Sequence, residues 1–112
     1  MPSSINSALQ IYINGLHKIY GNTIEKIILY GSYARGDYQN TSDIDILILV
    51  SLDEKEIRTK KTKLADYTFD MELEYGIEFS PIVTNSTVYY HAINILPFYH
   101  NIHKEGISLY EW

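Results

Sequence analysis

Gly31-Ser32-Tyr33-Ala34-Arg35-Gly36-Asp37-Tyr38-Gln39-Asn40-Thr41-Ser42-Asp43-Ile44-Asp45 joins two apolar runs, Ile24 to Tyr30 before it and Asp43 to Val50 at its end. In the first run Ile27-Ile28-Leu29 is continuous rather than alternating, the mark of a strand covered on both faces. Gly31 breaks that strand, Tyr33-Ala34-Arg35 has the length of one helical turn, and Gly36 to Ser42 is turn chemistry throughout. On the second strand Asp43 and Asp45 stand at i and i+2. Both carboxylates therefore project from one face while Ile44 enters the opposite layer. Such a pair repels unless positive charge lies between its members. A hard divalent cation meets that need, and Mg²⁺, held by one or two carboxylates together with substrate phosphates, is the expectation. At the other end of the stretch Gly31 lets the backbone approach a phosphate, and the Ser32 hydroxyl and the amides opening the turn supply donors.

The flanks predict the rest of the scaffold. Upstream, Ile5, Leu9, Tyr12, Leu16 and Ile19 recur at helical spacing, with Ser3 or Ser4 to cap the helix and Gly21-Asn22 to end it. Downstream, Asp53 is placed to cap one helix carrying Ile57, Leu64, Thr68, Met71 and Tyr75 along a single face, ended by Gly76. Its basic run, Arg58, Lys60, Lys61 and Lys63, reads as a solvated face, or as a contact for an acidic partner or nucleotide phosphates. Ile77 to Val83 is a third strand, with Pro81 putting its far half at an edge or bulge. Asn85 or Ser86 caps a last short helix, Thr87 to Ile95, terminated by Pro97, and Ile107 to Tyr110 is a possible further strand. The result is an α/β domain with a small mixed sheet of three to four strands packed by helices.

Composition sets outer limits. The 112 residues fit one domain, and a multidomain enzyme is not expected. The absence of cysteine removes disulfides, thiolate metal sites and cysteine nucleophiles, and points to the cytoplasm. No apolar run approaches a membrane span, and Met1-Pro2-Ser3-Ser4-Ile5-Asn6 lacks the features of a signal peptide. A net charge of −5 is poorly suited to holding nucleic acid through a basic surface. Tyrosine is abundant, eleven residues against three Phe and one Trp, which fits either a core rim or a contact surface. His100 and His103 lack a third ligand nearby and read as polar tail residues, and His17 and His91 as structural.

The motif Gly31-Ser32-x10-Asp43-x-Asp45, with Gly31-Ser-Tyr-Ala-Arg-Gly36 as its first half, resembles the signature of the nucleotidyltransferase superfamily that includes DNA polymerase β. Within it, the chain resembles the minimal nucleotidyltransferase (MNT) proteins, which are of about this size. The resemblance implies a polymerase β-like fold over a single minimal domain, residues 1–112. It implies catalysis by Asp43, Asp45 and a third carboxylate from a later strand, for which Glu78 is the choice and Glu72 and Glu74 the fallbacks. These three would hold two Mg²⁺ ions, while Gly31 and Ser32 would bind the β- and γ-phosphates of ATP. Arg35 would reach the same phosphates; its other reading is a surface ion pair with Asp37, itself a turn residue.

MNT proteins of this kind are often antitoxins that silence a HEPN-domain toxin ribonuclease by transferring AMP to one of its tyrosines. That resemblance makes a HEPN toxin the expected partner and AMP transfer the expected reaction. Exposed tyrosines and the aromatic tail Phe98, Tyr99, Tyr110 and Trp112 are then candidate contact surface. Two alternatives remain open from sequence: a non-catalytic antitoxin that works by occlusion, and a small-molecule nucleotidyltransferase.

Overall fold

The structure, a computed structural model, describes residues 3–111. Helix α1, Ser3–Tyr20, buries the stripe Leu9, Tyr12, Leu16 and Ile19, as its spacing predicts, and a short 3-10 turn leads into strand β1, Ile24–Tyr30. A single turn, α2 (Ser32–Arg35), and an irregular loop connect β1 to β2, Ile44–Val50. Helices α3 (Glu54–Thr59) and α4 (Lys61–Tyr75) precede β3, Phe79–Asn85. Then come α5 (Ser86–Ala92), α6 (Pro97–Glu105) and β4, Ile107–Glu111. The four strands form one mixed sheet in the order β3-β2-β1-β4, with β1 antiparallel to β2 and β4, and β2 parallel to β3.

Burial on the two faces explains why the first two strands read as apolar throughout. Ile44, Ile46, Ile48 and Val50 enter a core shared with Leu9, Tyr12 and Leu16 of α1 and with Leu64 and Met71 of α4. Leu47 and Leu49 point the other way, into a smaller core with Tyr89, Ile93 and Ile102. Emptying any one of these positions costs about 2–5 kcal/mol. The strand that carries the carboxylate pair is thus fixed from both sides. In the larger core the Tyr12 ring stacks on Phe79 at 4.2 Å and on Tyr67 at 5.3 Å, and its hydroxyl shares a buried 2.7 Å hydrogen bond with Thr68.

Three expectations need correction. The single helix after Asp53 is two. Its start is as predicted, a capping box in which the Asp53 side chain accepts from the Glu56 amide and Glu56 from the Asp53 amide. Lys60, however, at φ −99, ψ 0, is at once the C-cap of α3 and the N-cap of α4. The two pieces pack on different surfaces, α3 beside β3 and α4 against α1, and one straight helix cannot serve both. Tyr75, placed on the buried face by sequence, is 38% exposed. Second, β3 starts at Phe79 rather than Ile77; it is an edge strand, as Pro81 requires. Third, Pro97 opens α6 as well as following α5, its fixed φ suiting the first turn of a helix.

Of the aromatic tail, Phe98 stays exposed, whereas Tyr99 and Tyr110 are half-buried. Tyr110 packs edge-on against His17 at 4.5 Å, and Tyr99 against Tyr89. Trp112 lies outside the described residues. No helix among the described residues is long and apolar enough to cross a membrane.

Candidate active site

The two ends of the motif meet because β1 and β2 are antiparallel neighbours. Tyr30, the last residue of β1, is the register partner of Asp45, so Gly31 and Ser32 leave the sheet beside the Asp45 carboxylate. Gly31 sits at φ 75, ψ −154, a region effectively closed to side-chain-bearing residues. A Cβ there would overlap Asp45 Oδ2, with Asp45 Cγ 3.1 Å away. Glycine is therefore required twice, by the turn and by the carboxylate lodged against it. The Gly31 carbonyl accepts from the Ala34 and Arg35 amides, each at 3.1 Å, which closes α2 and leaves its first amides at the site.

Asp45 occupies the face predicted for the pair, the one that carries Leu47 and Leu49 further along β2, and Asp43 lies one residue ahead of the strand. Burial pushes the Asp45 carboxyl above the usual range, the charge of Asp43 raises it further, and Arg35 partly offsets both. Glu78 lies just ahead of β3, and its carbonyl accepts from the Ile44 amide at 2.9 Å. Its carboxyl is raised above the ordinary value by hydrogen bonding to Asp43, then by the charges of Asp43 and Glu72. The three predicted acids thus form a row, Glu78 to Asp43 and Asp43 to Asp45.

The row is not a closed cup. Among the described residues no group of three or more His, Cys, Asp or Glu side chains converges closely enough to hold a metal ion. The β3 residue abreast of Asp45 in the register is Ser80, while Glu78 is exposed beyond the end of that strand. The fallback acids are no better placed: Glu74 is exposed, and Glu72 faces a separate groove. The donor chemistry nonetheless fits a hard divalent cation, since Asp43 and Asp45 offer only oxygen and their mutual repulsion is uncompensated except by Arg35.

Gly31, Ser32, Arg35 and Asp45 line one side of a cavity of about 470 Å³. The opposite wall is α6, through Phe98, Asn101, Ile102 and Glu105, with Tyr30 at the junction. Burial, followed by the charges of Asp45 and Tyr99, pushes the Tyr30 hydroxyl up to about 12, so it stays protonated and available as a donor. A larger cavity, about 1050 Å³, lies between α3, α4 and β3, but of the candidate acids it includes only Glu72 and it lacks the glycine-serine turn. The smaller cavity is the chemically equipped one. The surface ion pair read for Arg35 is present, and the residue also lines the cavity. It pairs with Asp37 at 3.2 Å and with Glu105 at 3.7 Å. All three side chains are substantially exposed, so phosphate oxygens can replace the carboxylates on the guanidinium.

Sequence reasoning did not place Tyr30, Phe98, Asn101, Ile102 or Glu105 at this cavity. The available signal was Pro97 as a helix start, followed by an apolar residue at 98 and 102, His103 and Lys104 in the last turn, and Gly106.

Comparison with known proteins bears on the half of the site built from the glycine-serine turn and the paired carboxylates. The family model described as the nucleotidyltransferase domain matches residues 9–97. "Putative protein adenylyltransferase MJ0604" of Methanocaldococcus jannaschii is 40% identical over 103 residues, 92% of this chain and 95% of that protein. A second protein of that organism with the same description, MJ0141, is 42% identical over 72 residues, 62% of this chain and 69% of that one. Among solved structures, a toxin–antitoxin complex with AMP-PNP contains a chain with a TM-score of 0.55 at 17% identity, covering 90% of this chain and 72% of that one. A chain of the MntA–HpeT toxin–antitoxin gives the same score and identity over 89% and 71%. At that identity the likeness shows a shared fold alone. The sequence relatives carry the assignment further: this protein belongs to the nucleotidyltransferase domain family and is an enzyme of that class.

Proposed function

We propose that this chain is a Mg²⁺-dependent protein adenylyltransferase acting in the cytoplasm as an antitoxin, transferring AMP from ATP to a tyrosine of a HEPN-type toxin. The observation that carries the reading is the 40% identity to a protein described as an adenylyltransferase of proteins, across nearly its whole length. The site supports the same chemistry. Gly31 and the opening of α2 receive the β- and γ-phosphates, Arg35 gives up its carboxylate partners to bind them, and Asp43, Asp45 and Glu78 would hold the metal. When bound, Mg²⁺ supplies positive charge at the phosphate oxygens during in-line displacement at the α-phosphorus. Residues 1–112 act as one minimal domain, leaving the acceptor tyrosine to the partner. A likeness in fold to a chain of a toxin–antitoxin complex supports a toxin as that partner.

One observation favours a second reading, an antitoxin that works by occlusion: no three-acid group closes on a point among the described residues. Mass spectrometry of the co-expressed toxin separates the two. Catalysis predicts a toxin heavier by AMP, unmodified when Asp43 and Asp45 are both replaced by Ala; an inhibited but unmodified toxin would overturn the proposal in favour of occlusion.

A further inference from the structure

Helix α6 falls almost wholly outside the family match, which ends at residue 97, yet it builds half of the cavity. Phe98, Asn101, Ile102 and Glu105 follow one another at i, i+3, i+4 and i+7, so they share one face of the helix. Ile102 is 3% exposed and anchors that face in the smaller core. Phe98, on the same face, remains 47% exposed. Its ring meets Tyr30 at 5.9 Å and 90° and Tyr99 at 5.3 Å and 67°, both edge-to-face contacts. These contacts fix the ring's orientation without stacking a protein ring flat upon it. Burial therefore does not account for a large apolar side chain at this point of a polar cavity.

The two ends of α6 supply the account. At its C-terminal end Glu105 pairs with Arg35 at 3.7 Å; at its N-terminal end Phe98 meets Tyr30, the register partner of Asp45 and the residue before Gly31 and Ser32. Cation-binding and phosphate-binding groups thus lead to a flat aromatic surface. A nucleoside triphosphate has the same sequence of parts: phosphates, sugar, flat base. We infer that Phe98 is the stacking platform for the nucleotide base, so that α6, lying beyond the family core, sets how strongly the enzyme holds a nucleotide rather than a bare triphosphate. The inference rests on Gly31, Ser32 and Asp45 being the triphosphate end, as proposed above. Stacking accepts any base, so Phe98 contributes affinity, with purines favoured over pyrimidines by their larger overlap.

The test is calorimetric titration of the full chain and of F98A, F98L and F98W with two probes in Mg²⁺: a non-hydrolysable ATP analogue and inorganic triphosphate. A stacked base predicts that F98A and F98L bind the analogue about 5- to 150-fold more weakly, the range for one base–aromatic stack. Their triphosphate affinity should stay within about twofold of wild type, and F98W should restore analogue binding. F98L keeps apolar bulk on α6, so an unchanged melting temperature in that variant separates lost stacking from lost folding. Unchanged analogue binding in F98A and F98L, or an equal loss for both probes, would overturn the inference. A wild-type chain that binds triphosphate no worse than the analogue would overturn the role of Phe98 alone. If it binds neither, the assignment of the triphosphate end fails as well.

Discussion

Replacing Gly31 by Ala should damage stability and chemistry by separable routes. The residue sits at φ 75, ψ −154, and holding a side-chain-bearing residue there costs about 1–3 kcal/mol. For a domain of this size each kcal/mol lowers the melting temperature by about 4 °C, so G31A should melt about 4–12 °C lower. The new methyl also overlaps Asp45 Oδ2, and that carboxylate has to retreat by about 1 Å, a displacement that costs on the order of 100-fold in rate when it misplaces a reacting group. Gly21→Ala is the control. Gly21 also has positive φ, +60, but a Cβ there meets nothing within 4 Å, and it lies at the other end of β1. It should lose about 1–2 kcal/mol of stability and keep its rate. The assay is labelled AMP transfer to the proposed partner protein, run below the melting point that thermal unfolding gives for each variant. A G31A rate within threefold of wild type would refute the argument, as would a G21A variant that is equally slow.

Two further outcomes follow from buried groups. Because the Asp45 carboxyl is raised in the folded state by burial and by Asp43, its favourable contribution is full below the ordinary carboxylate pKa and is lost as pH rises through the raised value. D45N should therefore melt higher than wild type at pH 7 without divalent cations, with the gap narrowing on acidification or on adding Mg²⁺, while transfer is abolished; a lower melting temperature would count against the charge argument. Tyr12→Phe should cost about 1–2 kcal/mol in urea unfolding by stranding the buried Thr68 hydroxyl, and adding Thr68→Val should recover part of that loss, whereas strict additivity would mean the 2.7 Å bond contributes little.

What the sequence disclosed depended on how local the determining forces were. Strand β1 was legible to the residue because Ile27-Ile28-Leu29 is buried on both sides and Gly31 ends it sharply. The face of Asp45 followed from strand periodicity alone, and the Asp53 cap from side-chain chemistry within one turn. The break at Lys60 was hidden because no glycine or proline marks it; it arises from where α3 and α4 pack. Helix α6 was hidden for the opposite reason, that Pro97 is equally good punctuation for an end and for a beginning. Glu78 was chosen as an acid flanked by apolar residues, and the register then set Ser80, not an acid, abreast of Asp45, with Asp43 and Glu78 each one residue ahead of the paired strands. That alignment depends on parallel pairing between β2 and β3, separated by two helices, and no pattern within either strand encodes it.

The outer strands of the sheet also bear on how copies of this protein meet. Unpaired strand edges are templates for aggregation, and both edges here are blunted. On one side Pro81 interrupts β3 by removing an amide donor midway. On the other, β4 is five residues long, its pairing with β1 shifts register between Ile27 and Ile28, and its last described residue, Glu111, carries a charge held by Lys26 at 2.9 Å. Neither edge offers a long, flat ladder to a neighbour. Strand addition is thereby disfavoured at both edges, which leaves the helical faces and the cavity mouth as the surfaces open to another macromolecule.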